Sequence, residues 1–256
     1  MLRTLVAIGT SLLLFAAPAW AGDPVEDARI AEANTLLANL AAWTKAGDKP
    51  RLEKALPKAE KVHNELKTNS VRVKVQKAVG AIIGTEACGR VRMLAADSLG
   101  RFNDPKGAYK QLKPHLPPVK EAAAGLVPLR VVQATGALAP DTAIGTLTQL
   151  MEKAKDANVS RHAVQALGKY GWSRSRNRVL TSMAEYLRRL RPGGNNLKNG
   201  RVGGAATRER FRMLEQTMIV ALQELTGQKT LDSTEKWLAA WKANKKQAAK
   251  LFTFER

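Results

Sequence analysis

Apolar residues recur three and four positions apart along most of the chain, the spacing that gives an α-helix one buried face. Leu36, Leu37, Leu40 and Trp43 form one such stripe, and Leu52, Leu56, Ala59, Val62 and Leu66 form the next. Punctuation frames them. Asp23-Pro24-Val25-Glu26 reads as a capping box with proline at the first helical position, and Gly47 reads as the stop. Pro57 predicts a kink or a late start in the second helix. Beyond residue 70 a phrase repeats: Val71-Arg72…Ala78-Val79-Gly80, Val91-Arg92…Ser98-Leu99-Gly100, and Ser160-Arg161…Ala166-Leu167-Gly168. Weaker copies lie in Val131-Val132-Gln133-Ala134-Thr135-Gly136 and in Ile219-Val220-Ala221-Leu222…Leu225-Thr226-Gly227. Gly100, Gly136 and Gly168 are 36 and 32 residues apart, close to the length of a two-helix repeat. Gly80 and Gly100 are only 20 apart, so their phrases predict the two helices of one hairpin. Each phrase glycine is expected to end its helix.

Between the phrases, Asn103-Asp104-Pro105 predicts a turn and a short helix through Leu112. Pro114, Pro117 and Pro118 break the chain before a helix expected from Val119, which Pro128 should kink or split. Pro140-Asp141 opens a helix through Met151, and Asp156–Tyr170 with Arg174–Leu190 read as the clearest hairpin. Residues 191–207, rich in glycine and asparagine, predict a long loop inserted into the array. After it come a helix over Arg208–Leu225 and a last one capped by Asp232-Ser233-Thr234-Glu235, with Trp237 and Trp241 on one face. The expected fold is all-α: an α-solenoid of helical hairpins with a basic, glycine-rich loop insertion. Its expected parts are a leader (1–21), an N-terminal helical cap (22–69), the repeat domain (70–245) and a basic tail (246–256).

These residues resemble the HEAT-repeat family in its exported bacterial form. The family's second helix reads Asp…Val-Arg-x-x-Ala-x-x-Ala-Leu-Gly and then Asp-Pro. Val91-Arg92-Met93-Leu94-Ala95-Ala96-Asp97-Ser98-Leu99-Gly100 with Asn103-Asp104-Pro105 is similar to it, as is Asp156…Arg161…Ala163…Ala166-Leu167-Gly168 with the arginine displaced by one place. The likeness spans about Val71 to Lys242 and departs from the pattern at Pro128 and in the long loop. It implies that Arg72, Arg92, Asp156 and Arg161 form a structural ladder between adjacent repeats. It also implies a scaffold that binds a protein partner along one face.

Composition agrees with closely packed helices: aromatics make up 5% of the chain. The N-terminus adds a compartment. Arg3, an uncharged stretch holding Leu12-Leu13-Leu14-Phe15, and Pro18-Ala19-Trp20-Ala21 predict a secretory signal cleaved before Gly22. Gly9, Thr10, Ser11 and Pro18 argue against a permanent membrane anchor. The expected location is periplasmic or secreted. Cys88 is the only cysteine, so no internal disulfide forms, and it reads as a small packing residue at a helix junction.

Charge changes the picture more. Forty-two Lys and Arg against 22 Asp and Glu give a net +20, which speaks to partners rather than to fold. The densest zone holds Arg174, Arg176, Arg178, Arg188, Arg189, Arg191, Lys198, Arg201, Arg208, Arg210 and Arg212 against only Glu185 and Glu209. Such a zone suits a polyanion, whether cell-envelope polymer, anionic lipid or nucleic acid; the alternative is a solvated basic face. His63, His115 and His162 stand apart with no metal-ligand spacing, and no nucleophile-elbow, zincin or phosphate-loop signature occurs. The expected function is thus non-enzymatic and without cofactor or metal: protein binding, or alternatively polyanion binding through residues 174–212.

Overall fold

The computed structural model describes residues 23–191 and 205–253. Within them every regular element is helical: α1 (Pro24–Ala46), α2 (Lys49–Glu65), α3 (Asn69–Ile83), α4 (Gly89–Gly100), α5 (Pro105–Leu112), α6 (Leu126–Leu138), α7 (Ile144–Lys153), α8 (Ala157–Gly168), α9 (Arg176–Leu190), α10 (Ala205–Thr226) and α11 (Thr234–Asn244), with short 3-10 turns between several of them. None of these helices is long and apolar enough to cross a membrane. The expected leader, Lys198, Arg201 and residues 192–204 of the expected loop lie outside the described residues.

Consecutive helices pair: α1 with α2, α3 with α4, α5 with α6, α7 with α8, and α9 with α10. The even-numbered helices also touch in succession from α2 to α10. The expected hairpin of α8 with α9 does not form, because α8 packs on α7 and α9 on α10. Tyr170 explains the break. It is fully buried in the 3-10 turn after α8 and its hydroxyl donates to the Pro140 carbonyl at 2.9 Å, so the linker is tied beneath the turn that precedes α7. A single apolar core runs from Ala33 in α1 to Trp237 and Trp241 in α11. Each large aliphatic side chain in it contributes roughly 1.5–3 kcal/mol.

The recurring glycine has a role the sequence did not reveal. A Cβ on Gly100 would stand 3.1 Å from Ala134 Cα, on Gly136 2.5 Å from Ala166 Cα, and on Gly168 3.0 Å from Ala221 Cα. Helices α4, α6 and α8 thus each press a glycine onto an alanine of the next even-numbered helix, two places before Gly136, Gly168 and Gln223 in turn, and the small pair brings the two backbones together. Gly80 and Gly136 lie inside their helices, whereas Gly100 and Gly168 close α4 and α8 as expected, so the glycine is a contact residue whether or not it ends its helix. The left-handed glycines are Gly47 and Gly227, with φ of 66° and 75°. The last phrase carries Gln223 in place of glycine. Its amide donates to the Lys229 and Leu231 carbonyls at 3.1 and 3.2 Å, closing the row.

Four local expectations change. Glu26 does not complete a capping box: its Oε1 accepts from the Lys67 and Thr68 amides at 3.0 and 2.7 Å, tying α1 to the α2–α3 turn, and Asp23 alone caps. Helix α2 starts at Lys49 and continues through Pro57 to Glu65. Helix α6 begins at Leu126, not near Val119, because three prolines hold the preceding segment in turns. Pro128 therefore falls in the first turn of α6, where its missing N–H is not needed.

Candidate functional site

The same stacking builds a groove. Taking Gly136, Gly168 or Gln223 as the reference, the residue three before it and the residue one after it are exposed or half-exposed. On α6 these are Gln133 and Ala137, on α8 Gln165 and Lys169, and on α10 Val220 and Glu224. All six line one hollow of about 760 Å³. Ala166 and Ala221, the residues that receive the glycines, line it too. Gln216 and Thr217 of α10 and Arg130 of α6 complete it.

Its charges are paired between helices. Arg130 donates to both Asp97 oxygens, at 2.6 and 2.8 Å, and to Gln133 at 2.9 Å. The Asp97 hydrogen bonds hold the guanidinium above its ordinary pKa. Lys169 meets Glu224 at 3.0 Å. Gln165, Gln216 and Ala137 remain exposed, and Val220 is 43% exposed although apolar. The groove is therefore a near-neutral trough with a methyl floor and amide donors and acceptors on its walls. No histidine, cysteine or serine lines it.

The arginine zone is not one patch. Arg210 is committed to the framework: it donates to Tyr186 Oη at 2.8 Å, the Ala154 and Met151 carbonyls at 2.8 and 3.0 Å, and Ser160 Oγ at 2.5 Å. Arg188 pairs with Glu185 at 2.9 Å and Arg189 with Glu152 at 2.5 Å. Arg176 stands over the Phe252 ring, 4.5 Å from its centre. Arg174, Arg178, Arg191, Arg208 and Arg212 are exposed and have no acidic partner among the described residues.

The four residues expected to form a ladder play separate parts. Arg72 bonds Asn103 across to the α4–α5 turn. Arg92 donates to the Ile83 carbonyl at 2.7 Å, satisfying the end of α3. Asp156 caps α8 through the Asn158 amide at 2.7 Å and reaches the Ala124 amide at 2.6 Å. Arg161 makes no ion pair among the described residues. Among the pairs that bridge successive even-numbered helices are Glu53–Arg90, Asp97–Arg130 and Lys169–Glu224, which sequence reading passed over. For the last two, register against the glycine was the available signal.

His63 is fully buried and stacked on Phe102 at 3.9 Å. Gln76 donates to its Nε2 at 3.0 Å and to Asp104 at 2.9 Å, and Nδ1 faces Asn64 Oδ1 at 3.0 Å. That pattern assigns the neutral Nδ1–H tautomer. Burial lowers its pKa below 6.5. The network joins α2, α3 and the α4–α5 turn; His63 and Gln76 are buried, whereas Asn64 and Asp104 are partly open to solvent. Cys88 precedes α4, half-buried, with no capping bond from its side chain. Among the described residues no three of His, Cys, Asp or Glu converge as metal ligands. Comparison with protein-family models, with curated proteins and with solved structures returned no match for this chain.

Proposed function

We propose that the chain is an exported, non-enzymatic HEAT-type α-solenoid that binds an extended segment of a partner protein. The observation that carries this reading is the trough crossing α6, α8 and α10, in which the same register positions recur on three adjacent helices. An extended peptide gains main-chain hydrogen bonds from Gln165 and Gln216 and sets small side chains on Ala166 and Ala221. The helical pairing and the HEAT-like phrase support the solenoid assignment. The signal-like residues 1–21 support export, which N-terminal sequencing of the processed protein checks: a first residue other than Gly22 contradicts the expected cleavage.

The binding test uses peptides selected by display against the full chain. Gln165→Lys and Val220→Glu should each weaken them about tenfold, a loss of ~1.4 kcal/mol. Unchanged binding in both variants removes the groove from the account. A second reading is supported by the five exposed arginines that lack acidic partners among the described residues. A polyanion held there should dissociate steeply as salt rises, whereas peptide in the trough should not.

A further inference from the structure

Residues 245–253 do not trail away from the fold. Thr253 donates to the Thr226 carbonyl through both its amide and its hydroxyl, each at 3.0 Å. Leu251 is buried and Phe252 lies under Arg176. At the other end, Glu185 on α9 accepts from Trp241 Nε1 at 3.2 Å and pairs with Lys245 at 2.9 Å. Held at both ends, residues Lys245–Leu251 curl as 3-10 helix, bent at Gln247 with φ −135° and ψ 57°.

The curl encloses a hollow of about 560 Å³ lined by Lys242, Lys245, Lys246 and Lys250, with Asn244 and Gln247 among its other walls. A second hollow of about 680 Å³ shares Lys242 and Lys245 and adds Arg188 and Arg191. Six cationic side chains thus face two carboxylates, Glu185 and Glu235, and Glu185 is already paired. Lys242, Lys246 and Lys250 are exposed and have no acidic partner among the described residues. The C-terminus of α11 contributes only about half a negative charge against them.

We propose that these two joined hollows form a cradle for a linear phosphate polymer. Lysines supply compact charges that accept phosphate in many orientations, whereas bidentate recognition of a single group calls for arginine. Trp241 is 3% exposed and offers no open face on which a base can stack, which disfavours a nucleic acid strand. The surface is concave, and Leu238, its largest aliphatic wall, is half-buried, which disfavours insertion into a bilayer. A chain that carries its charge along the backbone suits a track with two linked basins. The cradle is independent of the peptide trough. It shares with the arginine-zone reading the premise that the chain takes a polyanion, together with Arg188 and Arg191.

The test titrates labelled inorganic polyphosphate into the full chain at about 150 mM salt, a condition that suppresses loose charge attraction. Oligo-dT of equal charge and phosphatidylglycerol vesicles are run beside it. Polyphosphate should bind tightest. Lys246→Glu with Lys250→Glu should weaken it about tenfold or more and flatten the salt dependence, with the unfolding midpoint unchanged. Lys246→Arg with Lys250→Arg should retain it. Arg174→Glu with Arg178→Glu, just before and within the first turn of α9, should have little effect. If the arginine pair carries the loss instead, the cradle fails and the arginine-zone reading stands. If neither pair matters, both fail. Tighter binding of oligo-dT or vesicles overturns the choice of occupant.

Discussion

Gly136 on α6 lies so close to Ala166 on α8 that a Cβ at Gly136 would stand 2.5 Å from the Ala166 Cα. That approach sets the spacing of two neighbouring helices and puts the Ala166 methyl in the trough between them. Gly136→Ala should therefore force the helices apart and destabilise the protein by about 2–3 kcal/mol, as overpacking does. Gly145, in α7, has nothing within 4 Å of its missing Cβ. Gly145→Ala should stabilise by about 0.5–1 kcal/mol through helix propensity. Urea unfolding of both variants measures the contrast, and equal effects would contradict the stacking account.

Arg210 and its neighbours should behave oppositely under the same substitution. Arg210→Ala leaves the Met151 and Ala154 carbonyls and the hydroxyls of Tyr186 and Ser160 without their donor. A loss of about 2–3 kcal/mol is expected, with Arg210→Lys recovering only part because an ammonium cannot reproduce the planar fork. Arg208→Ala and Arg212→Ala, both at exposed positions, should stay within about 0.5 kcal/mol of the parent. Thermal melts rank the three.

His63 makes stability depend on pH near neutrality. Its folded pKa is depressed by burial, so below about 6.5 the unfolded chain takes up a proton that the folded chain refuses. Stability should be fullest above that value and fall as the pH drops through it. Protonation would also turn the Nε2 acceptor into a donor facing the Gln76 amide. Comparing unfolding free energies at pH 8 and pH 5 tests this: His63→Gln should shrink the difference. His115, whose pKa burial and Arg92 lower, contributes in the same direction.

Glu185 acts in a more acidic window. Lys245 above all, then Trp241 and Arg188, hold its carboxyl down at about 2 against an ordinary 4.5. The stabilisation is present above 4.5 and is lost as the pH falls towards 2. With 23% of the side chain open to water, Glu185→Gln should cost about 1–2 kcal/mol at neutral pH, less than the full shift implies. The gap between parent and variant should narrow on acidification. A gap that stays constant down to pH 3 would show that Glu185 holds α9 and α11 together by shape alone.

Helix positions were legible because they depend on local rules. Pro24, Pro105, Ser233, Gly47 and Gly227 mark ends that the structure keeps, since caps and left-handed turns involve only nearby backbone. The groove was less legible. Gln133, Gln165 and Val220 look like ordinary surface residues until their helices are set side by side. Arg210 read as one more cation in a basic zone, and only the folded chain brings Met151, Ala154, Ser160 and Tyr186 around it.

The sequence by itself determined an all-helical chain, its apolar stripes and the recurrence of a small residue two places before glycine. Periodicity and capping decide those at a range of a few residues. Tertiary structure decided which helices pair, that Gly100, Gly136 and Gly168 are each pressed against a neighbouring helix, and which basic side chains are left to face solvent. Those outcomes rest on contacts between residues 30 to 60 positions apart, such as Gly168 with Ala221 and Tyr170 with Pro140. No local pattern encodes such distances; packing chooses them.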